Sequence, residues 1–242
     1  MSLLHVNGVT KRFGGLAAVN EMQFRLERGE ICALLGPNGS GKTTMINQIS
    51  GALVPTSGEI LFAGKPIQGK TPDRIAKAGI ARTFQLVRIL PSLSLVENVI
   101  VPAAFGPKKL WGKAAERQAL ACLERVGLGD KTRLQAADLT YIDQKRLELA
   151  RALAAEPQLL LLDEWLAGLN PGELQTGIDL IRDLTRSGIT ILMVEHIMEA
   201  VRALCPRTIV MAAGQKIADG PTGDVLARPE VIAAYLGSAA HA

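Results

Sequence analysis

Short apolar runs separated by glycine-containing turns predict β-strands in the first third of the chain. These runs cover residues 3–9, 22–26, 31–35 and 59–62. A helical stretch is expected at residues 42–49, between the third and fourth runs. The leucine run at residues 159–162 lacks polar alternation. It therefore predicts a strand buried on both faces of a parallel sheet.

Strands and helices alternate along the rest of the last third. Asn170 followed by Pro171 is a pair that starts helices, and it predicts a helix to about residue 186. The remaining pattern predicts a strand at 189–194, a helix at 197–204 and a strand at 208–211. Alternation of this kind is typical of a parallel α/β core.

The middle of the chain has a different pattern, with almost no strand-like run between residues 86 and 155. Helices are predicted there at 96–104, 113–126 and 144–155. We therefore expect a single α/β domain over residues 1–242. Its core would comprise residues 1–85 and 156–242, and residues 86–155 would form a helical insertion.

The amino-acid composition argues against several classes of protein. Apolar residues make up 48% of the chain and charged residues 21%, which excludes a disordered chain. The net charge of +4 and an aromatic content of 4% give no indication of nucleic-acid binding. No apolar run approaches the ~20 residues that cross a bilayer. The scattered Cys32, Cys122 and Cys205 predict free thiols in a reducing compartment, and we expect a cytosolic globular protein.

A glycine-rich loop carries the first chemical signal. Eight consecutive residues fit the pattern G-x-x-x-x-G-K-[ST]: Gly36, Pro37, Asn38, Gly39, Ser40, Gly41, Lys42 and Thr43. Small residues let backbone N–H groups converge on phosphate oxygens, and the following helix directs its positive end at them. Lys42 can reach the β- and γ-phosphates, and Thr43 can ligate Mg²⁺. The loop lies between a predicted buried strand and a helix, so it predicts nucleotide binding.

Polar residues at the ends of two predicted strands supply the second signal. Asp163 and Glu164 follow the leucine run, and His196 follows the strand that starts at residue 189. A carboxylate beside a phosphate loop can hold Mg²⁺ through water, and a second one can polarise an attacking water. Strand ends of this kind meet in a crevice in α/β sheets.

The order of these motifs resembles the ATP-binding cassette (ABC) ATPase family over the whole chain. The resemblance implies that Phe13 stacks on adenine and that His196 contacts the γ-phosphate. Residues 139–144 match the family signature, so Thr140 is expected to contact ATP bound by the opposite subunit. The resemblance implies ATP contacts at Phe13 and at Gly36, Pro37, Asn38, Gly39, Ser40, Gly41, Lys42, Thr43 and Thr44.

The same resemblance implies how the reaction proceeds. Glu164 is expected to be the general base, with Gln85 and His196 as further catalytic residues. Thr43, Gln85 and Asp163 are expected to ligate Mg²⁺. The implied fold is a P-loop NTPase core of ABC type, with an N-terminal antiparallel β region and an inserted helical subdomain.

A closer resemblance is to the ATPase subunits of branched-chain amino-acid importers, of the larger of two types. It rests on R-T-F-Q at 82–85, A-G-L-N-P at 167–171 and A-Y-L-G at 234–237. It implies ATP hydrolysis that powers uptake of branched-chain or related amino acids through a separate membrane permease. The expected partners are a second copy or a sister ATPase subunit, the permease and a solute-binding protein. The expected location is the inner face of the cell membrane.

Three positions depart from the family pattern: Ile142 replaces glycine, Trp165 replaces proline and Ile197 replaces aspartate. A β-branched Ile142 adds bulk in the signature and disfavours positive φ. Ile142 therefore keeps open the alternative of a weakly hydrolysing ATP-binding regulatory cassette. A soluble ABC ATPase outside transport is a separate alternative. The apolar stretch at 86–90 follows Gln85 directly, and it predicts either a permease-docking surface or part of the helical core.

Overall fold

Antiparallel strands form the first sheet in the computed structural model, which describes residues 2–239. Within those residues the sheet has four strands in the order β2-β1-β4-β5. They are β1 (Ser2–Phe13), β2 (Leu16–Glu27), β4 (Ser57–Phe62) and β5 (Lys65–Pro66). Strand β1 pairs antiparallel with both β2 and β4, as the predicted N-terminal β region requires.

The second sheet is mixed and carries the parallel core. Within residues 2–239 its order is β10-β9-β3-β8-β7-β6, and only β10 pairs antiparallel. The strands are β3 (Ile31–Leu35), β6 (Ile80–Arg82), β7 (Leu159–Asp163), β8 (Thr190–Val194), β9 (Arg207–Ala212) and β10 (Gln215–Pro221). All residues of β3, β7 and β8 are buried, which explains their unbroken apolar runs.

Helices connect and cover these strands. They are α1 (Lys42–Ile49), α2 (Pro72–Ala78), α3 (Leu95–Phe105), α4 (Lys113–Arg125), α5 (Tyr141–Ala154), α6 (Pro171–Arg186), α7 (Met198–Leu204), α8 (Thr222–Leu226) and α9 (Pro229–Ala239). Helices α3, α4 and α5 pack on one another. Among residues 2–239, no helix has the length and apolar character that a membrane crossing requires.

Alternate residues of the parallel strands face two separate apolar clusters. In β3, Ala33 and Leu35 join the cluster that includes α3, α4, α5 and α6. Cys32 and Leu34 face the other cluster, between the two sheets. The sheet is therefore covered on both faces. Strands β3 and β7 both run parallel to β8. The polar residues that follow these three strands therefore lie together at the carboxyl edge of the sheet.

The predicted α/β fold with an antiparallel N-terminal region is confirmed. The predicted strand at residues 31–35 and helix at 42–49 agree with β3 and α1. Helix α7 begins at Met198, one residue after the predicted start. Elements that the pattern missed are α2, β5, β6, β10, α8 and α9. The three cysteines are free and buried, as predicted.

Candidate active site

The phosphate loop runs from the end of β3 to α1, and its shape requires glycine at two positions. Gly36 has φ +149° and Gly41 has φ +101°. A Cβ at Gly36 would lie 2.1 Å from the main-chain oxygen of Met211, and one at Gly41 would lie 2.3 Å from that of Ala18. Both approaches are closer than real Cβ contacts, so side chains are excluded there. The loop is thus fixed between β2 and β9.

Lys42 is buried within this loop. Its Nζ donates to the main-chain oxygens of Gly36, at 2.7 Å, and Pro37, at 2.9 Å. Burial lowers the pKa of Lys42 from its ordinary value, while the charges of Glu164 and Asp163 oppose that shift. The ammonium group therefore lies in a partly desolvated position where its attraction for phosphate oxygens is strong.

The remaining predicted loop residues surround the start of α1. The Ser40 side chain is buried, and its Oγ has no hydrogen-bond partner among residues 2–239. A buried hydroxyl of this kind suits a phosphate oxygen. Thr43 is exposed and Thr44 half-buried in the first turn of α1, and Asn38 is exposed.

Phe13 lies at the end of β1, where it pairs with Leu16 across the β1–β2 turn. Its ring is 49% exposed, and Lys11 Nζ lies 5.2 Å from the ring centre. Strand β2 continues from this turn to Ala18, whose main-chain oxygen borders the phosphate loop. The ring is therefore presented on the element that flanks the loop, with an open face for stacking.

Asp163 ends β7 and is almost completely buried. Arg82 Nη2 donates to its Oδ2 at 2.7 Å, in an ion pair with little exposure. The ion pair keeps the Asp163 carboxylate in a fixed orientation. Arg82 belongs to the R-T-F-Q pattern, but no role was predicted for it.

Glu164 is the point where three predicted catalytic residues meet. Gln85 Nε2 donates to its Oε2 at 2.8 Å, and His196 Nε2 lies 2.8 Å from its Oε1. Glu164 has φ +51°, and its N–H donates to the Val194 main-chain oxygen at 2.9 Å. This arrangement directs the carboxylate away from the core and toward the two polar side chains.

Thr140 does not join this cluster. It is the N-cap of α5, where its Oγ1 accepts the Asp143 N–H at 3.4 Å. Ile142 lies in α5 and is buried. It has helical rather than positive φ, so the expected conflict between a β-branched side chain and a left-handed backbone does not arise.

The sequence did not predict two buried charged residues near Glu164, which are Glu195 and Lys145. Glu195 accepts the Leu166 N–H at 2.7 Å, and burial raises the pKa of Glu195 to about 7. Lys145, on α5, donates to the main-chain oxygens of Glu164 and Trp165. No local pattern signals these roles, because both depend on contacts between distant segments.

The donors and acceptors at this edge suit the hydrolysis of a nucleoside triphosphate. Loop amides, Lys42 and Ser40 supply donors for phosphate oxygens, and Glu164 supplies a carboxylate that can accept a proton from water. The oxygen atoms of Asp163, Thr43 and Gln85 are of the type that Mg²⁺ prefers.

Comparison with known proteins agrees with this geometry. The family profile described as "ABC transporter" matches residues 19–167, and "Branched-chain amino acid ATP-binding cassette transporter" matches residues 215–241. The high-affinity branched-chain amino acid transport ATP-binding protein LivG of Escherichia coli (strain K12) is 39% identical, over 98% of each chain. The corresponding protein BraF of Pseudomonas aeruginosa is 38% identical, also over 98% of each chain.

Solved structures agree as well. The ADP conformation of the ATP-binding cassette MJ1267 matches with a TM-score of 0.90 and 29% identity, over 98% of this chain and 99% of that one. A dimeric structure of the cassette MJ0796, bound to ADP and phosphate, matches with a TM-score of 0.80 and 27% identity, over 90% and 98% of the chains. The chain belongs to the ABC transporter family, as one of its ATP-binding cassette ATPases.

Proposed function

We propose that this chain hydrolyses ATP to drive uptake of branched-chain or related amino acids through a separate membrane permease. The observation that carries the proposal is the convergence of Gln85 and His196 on Glu164, beside the phosphate loop. The substrate class follows from likeness, over 98% of each chain, to relatives named for branched-chain amino acid transport.

In the proposed mechanism, the loop amides, Lys42 and the Ser40 hydroxyl bind the phosphates, and Phe13 stacks on the adenine. Asp163, Thr43 and Gln85 would hold Mg²⁺, which neutralises charge on the phosphate oxygens. Glu164 accepts the proton of the attacking water as general base. Its hydrogen bonds to Gln85 and His196 fix the carboxylate in the orientation that this transfer needs.

A second subunit completes the site in this proposal. Thr140 caps the N-terminus of α5 and is exposed, so it is available to ATP bound by a neighbour. The neighbour is either a second copy or a sister ATPase subunit. Residues 86–155, which contain the packed helices α3, α4 and α5, would act as the subdomain that carries this contact, with residues 1–85 and 156–242 as the core.

A groove beside Gln85 is the proposed docking site of the permease. It has a volume of about 510 Å³ and is lined by α2, β6 and α5, with Phe84, Arg88 and Arg151 among its residues. The guanidinium groups of Arg82 and Arg88 lie 4.9 and 4.2 Å from the centre of the Phe84 ring.

This groove is linked directly to the catalytic residues. Phe84 lies between Arg82 and Gln85 along the chain. Arg82 forms an ion pair with Asp163, and Gln85 donates a hydrogen bond to Glu164. A permease segment that moved Phe84 would therefore act on both carboxylates. Leu86 follows this segment with 82% exposure, so it extends the apolar surface outward. The chain would then lie on the inner face of the membrane, and a solute-binding protein would deliver the amino acid from outside.

The proposal is tested by reconstituting the chain with its permease and any sister ATPase in lipid vesicles. ATP-dependent uptake of leucine or valine, lost with Glu164→Gln, is the expected result. ATP-dependent uptake of a different solute would correct the substrate class alone. The absence of ATP hydrolysis in the complete assembly would overturn the proposal.

A further inference from the structure

In the interior, the side chains of Trp165 and Lys145 each donate a hydrogen bond to the main-chain oxygen of the other residue. The Trp165 indole N–H donates to the main-chain oxygen of Lys145 at 3.0 Å. In return, Lys145 Nζ donates to the main-chain oxygens of Trp165, at 2.9 Å, and Glu164, at 3.3 Å. Trp165 is 1% exposed and Lys145 2%. Trp165 is one of the three positions named above as departures from the family pattern.

The start of α5 lies along the segment that follows Glu164. The Lys145 ammonium group lies 5.0 Å from the centre of the Tyr141 ring, on the preceding turn of the helix. A Cβ at Gly168 would lie 3.3 Å from the same ring. Helix α5 is therefore close to residues 164–168 at two places, through Lys145 and through Tyr141.

Glu164 needs such support because of its backbone conformation. Its φ of +51° is left-handed, a state that residues other than glycine keep only when their surroundings fix it. The Glu164 N–H donates to Val194, and its carbonyl oxygen accepts from Lys145. The Leu166 N–H donates to the carboxylate of Glu195. Main-chain groups on both sides of Glu164 are thus held by distant segments.

We propose that Lys145 and Trp165 are positioning residues that hold the main chain of Glu164, so that its carboxylate faces Gln85 and His196. Lys145 lies on α5, the helix that Thr140 caps, so the same link joins this helix to the main chain of Glu164. The inference rests on the proposed role of Glu164 as general base. It adds that the orientation of this base depends on the α5 helix.

The test uses two substitutions that remove side-chain donors and keep an apolar side chain in the core. Trp165→Phe removes the indole N–H, and Lys145→Met removes the ammonium group but keeps an unbranched stem. We expect kcat to fall about fivefold to tenfold in each, with the KM for ATP changed by less than twofold. The double variant should be no slower than the slower single variant, because both changes break the same link.

Trp111→Phe is the matched control, since Trp111 is 67% exposed and lies in the segment between α3 and α4. It should leave kcat and KM unchanged. Circular dichroism melting shows that each variant is folded at the assay temperature. If Lys145→Met does not fold, Trp165→Phe decides alone, because it retains an aromatic ring in the core.

A second measurement separates positioning from a purely structural role. In a Glu164→Gln background, Trp165→Phe should cause no further loss of single-turnover rate, because the base that it positions is already absent. An unchanged kcat for Trp165→Phe, or the same fold-loss in both backgrounds, would overturn the inference. If Glu164→Gln itself leaves hydrolysis intact, the assignment of the base fails, and that result is visible without Trp165→Phe.

Discussion

His196 Nε2 lies 2.8 Å from Glu164 Oε1, although 32 residues separate the two along the chain. The contact follows from the sheet, because Asp163 of β7 is in register with Val194 of β8. The residues that follow these two strands therefore emerge side by side. With Nε2 protonated, the imidazole donates to the carboxylate and orients it, as Gln85 does from the other side.

The first prediction concerns Glu164 itself. Glu164→Gln should slow ATP hydrolysis by about a hundredfold or more, because an amide does not accept the proton of the attacking water. ATP affinity should stay within about threefold, since the phosphate contacts lie elsewhere. Steady-state ATPase assays and calorimetry with ATP measure the two effects. A rate within tenfold of the unsubstituted protein would contradict the general-base role.

Lys42 should control nucleotide affinity. Lys42→Ala removes a partly desolvated ammonium group, and charge-assisted hydrogen bonds of this kind are worth about 1.5–3 kcal/mol. We expect the Kd for ATP to rise ~10- to 100-fold, with hydrolysis lost. Lys113→Ala is the control, because Lys113 is an exposed lysine at the start of α4. Equal ATP affinities for the two variants in calorimetry would refute the phosphate site.

Leu86 should act on coupling to the permease and not on hydrolysis itself. Leu86→Asp places a charge on a side chain that is already exposed, so folding should be unaffected. Basal ATPase activity of the isolated chain should persist, while stimulation by the reconstituted permease is lost. Leu120→Asp, at an exposed leucine of α4, should preserve stimulation. Full transport with Leu86→Asp would place the docking surface elsewhere.

Glu195 should make stability depend on pH. Burial raises its pKa from 4.5 to about 7, so between these values the folded chain binds more protons than the unfolded chain. The stabilisation from this group is complete below about pH 4.5 and is lost as the pH rises to about 7. Glu195→Gln should reduce the fall in unfolding free energy over this range, by up to ~3 kcal/mol. Urea titrations at several pH values test this, with exposed Glu199→Gln as control.

The sequence predicted the elements that carry the phosphate loop with the correct bounds. Strand β3 is buried throughout, and α1 follows a motif whose glycines are fixed by close backbone contacts. Strand β6 was missed because it has only three residues, at the edge of the sheet. Helix α9 was missed because its periodicity is short and weak.

In the site too, residues that belong to a local sequence pattern were predicted, and residues placed by contacts between distant segments were not. Asp163 and Glu164 were predicted as site residues because they directly follow a continuous leucine run. Lys145 was not, because one lysine in an amphipathic helix is ordinarily exposed, and its burial comes from contact with residues after β7. The hydrogen bond of the Trp165 indole could not be predicted either, since its partner, Lys145, lies 20 residues earlier in the chain.

Ile142 should contribute to stability and leave turnover unchanged. It is buried in the first turn of α5 with helical backbone angles, so Ile142→Gly removes core volume and weakens the helix. We expect a loss of about 2 kcal/mol or more in urea unfolding, and less than about 1.5 kcal/mol for Ile142→Val. The kcat of the folded protein should match that of the unsubstituted chain, because neither variant touches Glu164 or the phosphate loop. A marked rise in kcat for Ile142→Gly would show instead that the isoleucine obstructs closure of the signature on the neighbouring ATP. The chain would then act as a weakly hydrolysing cassette.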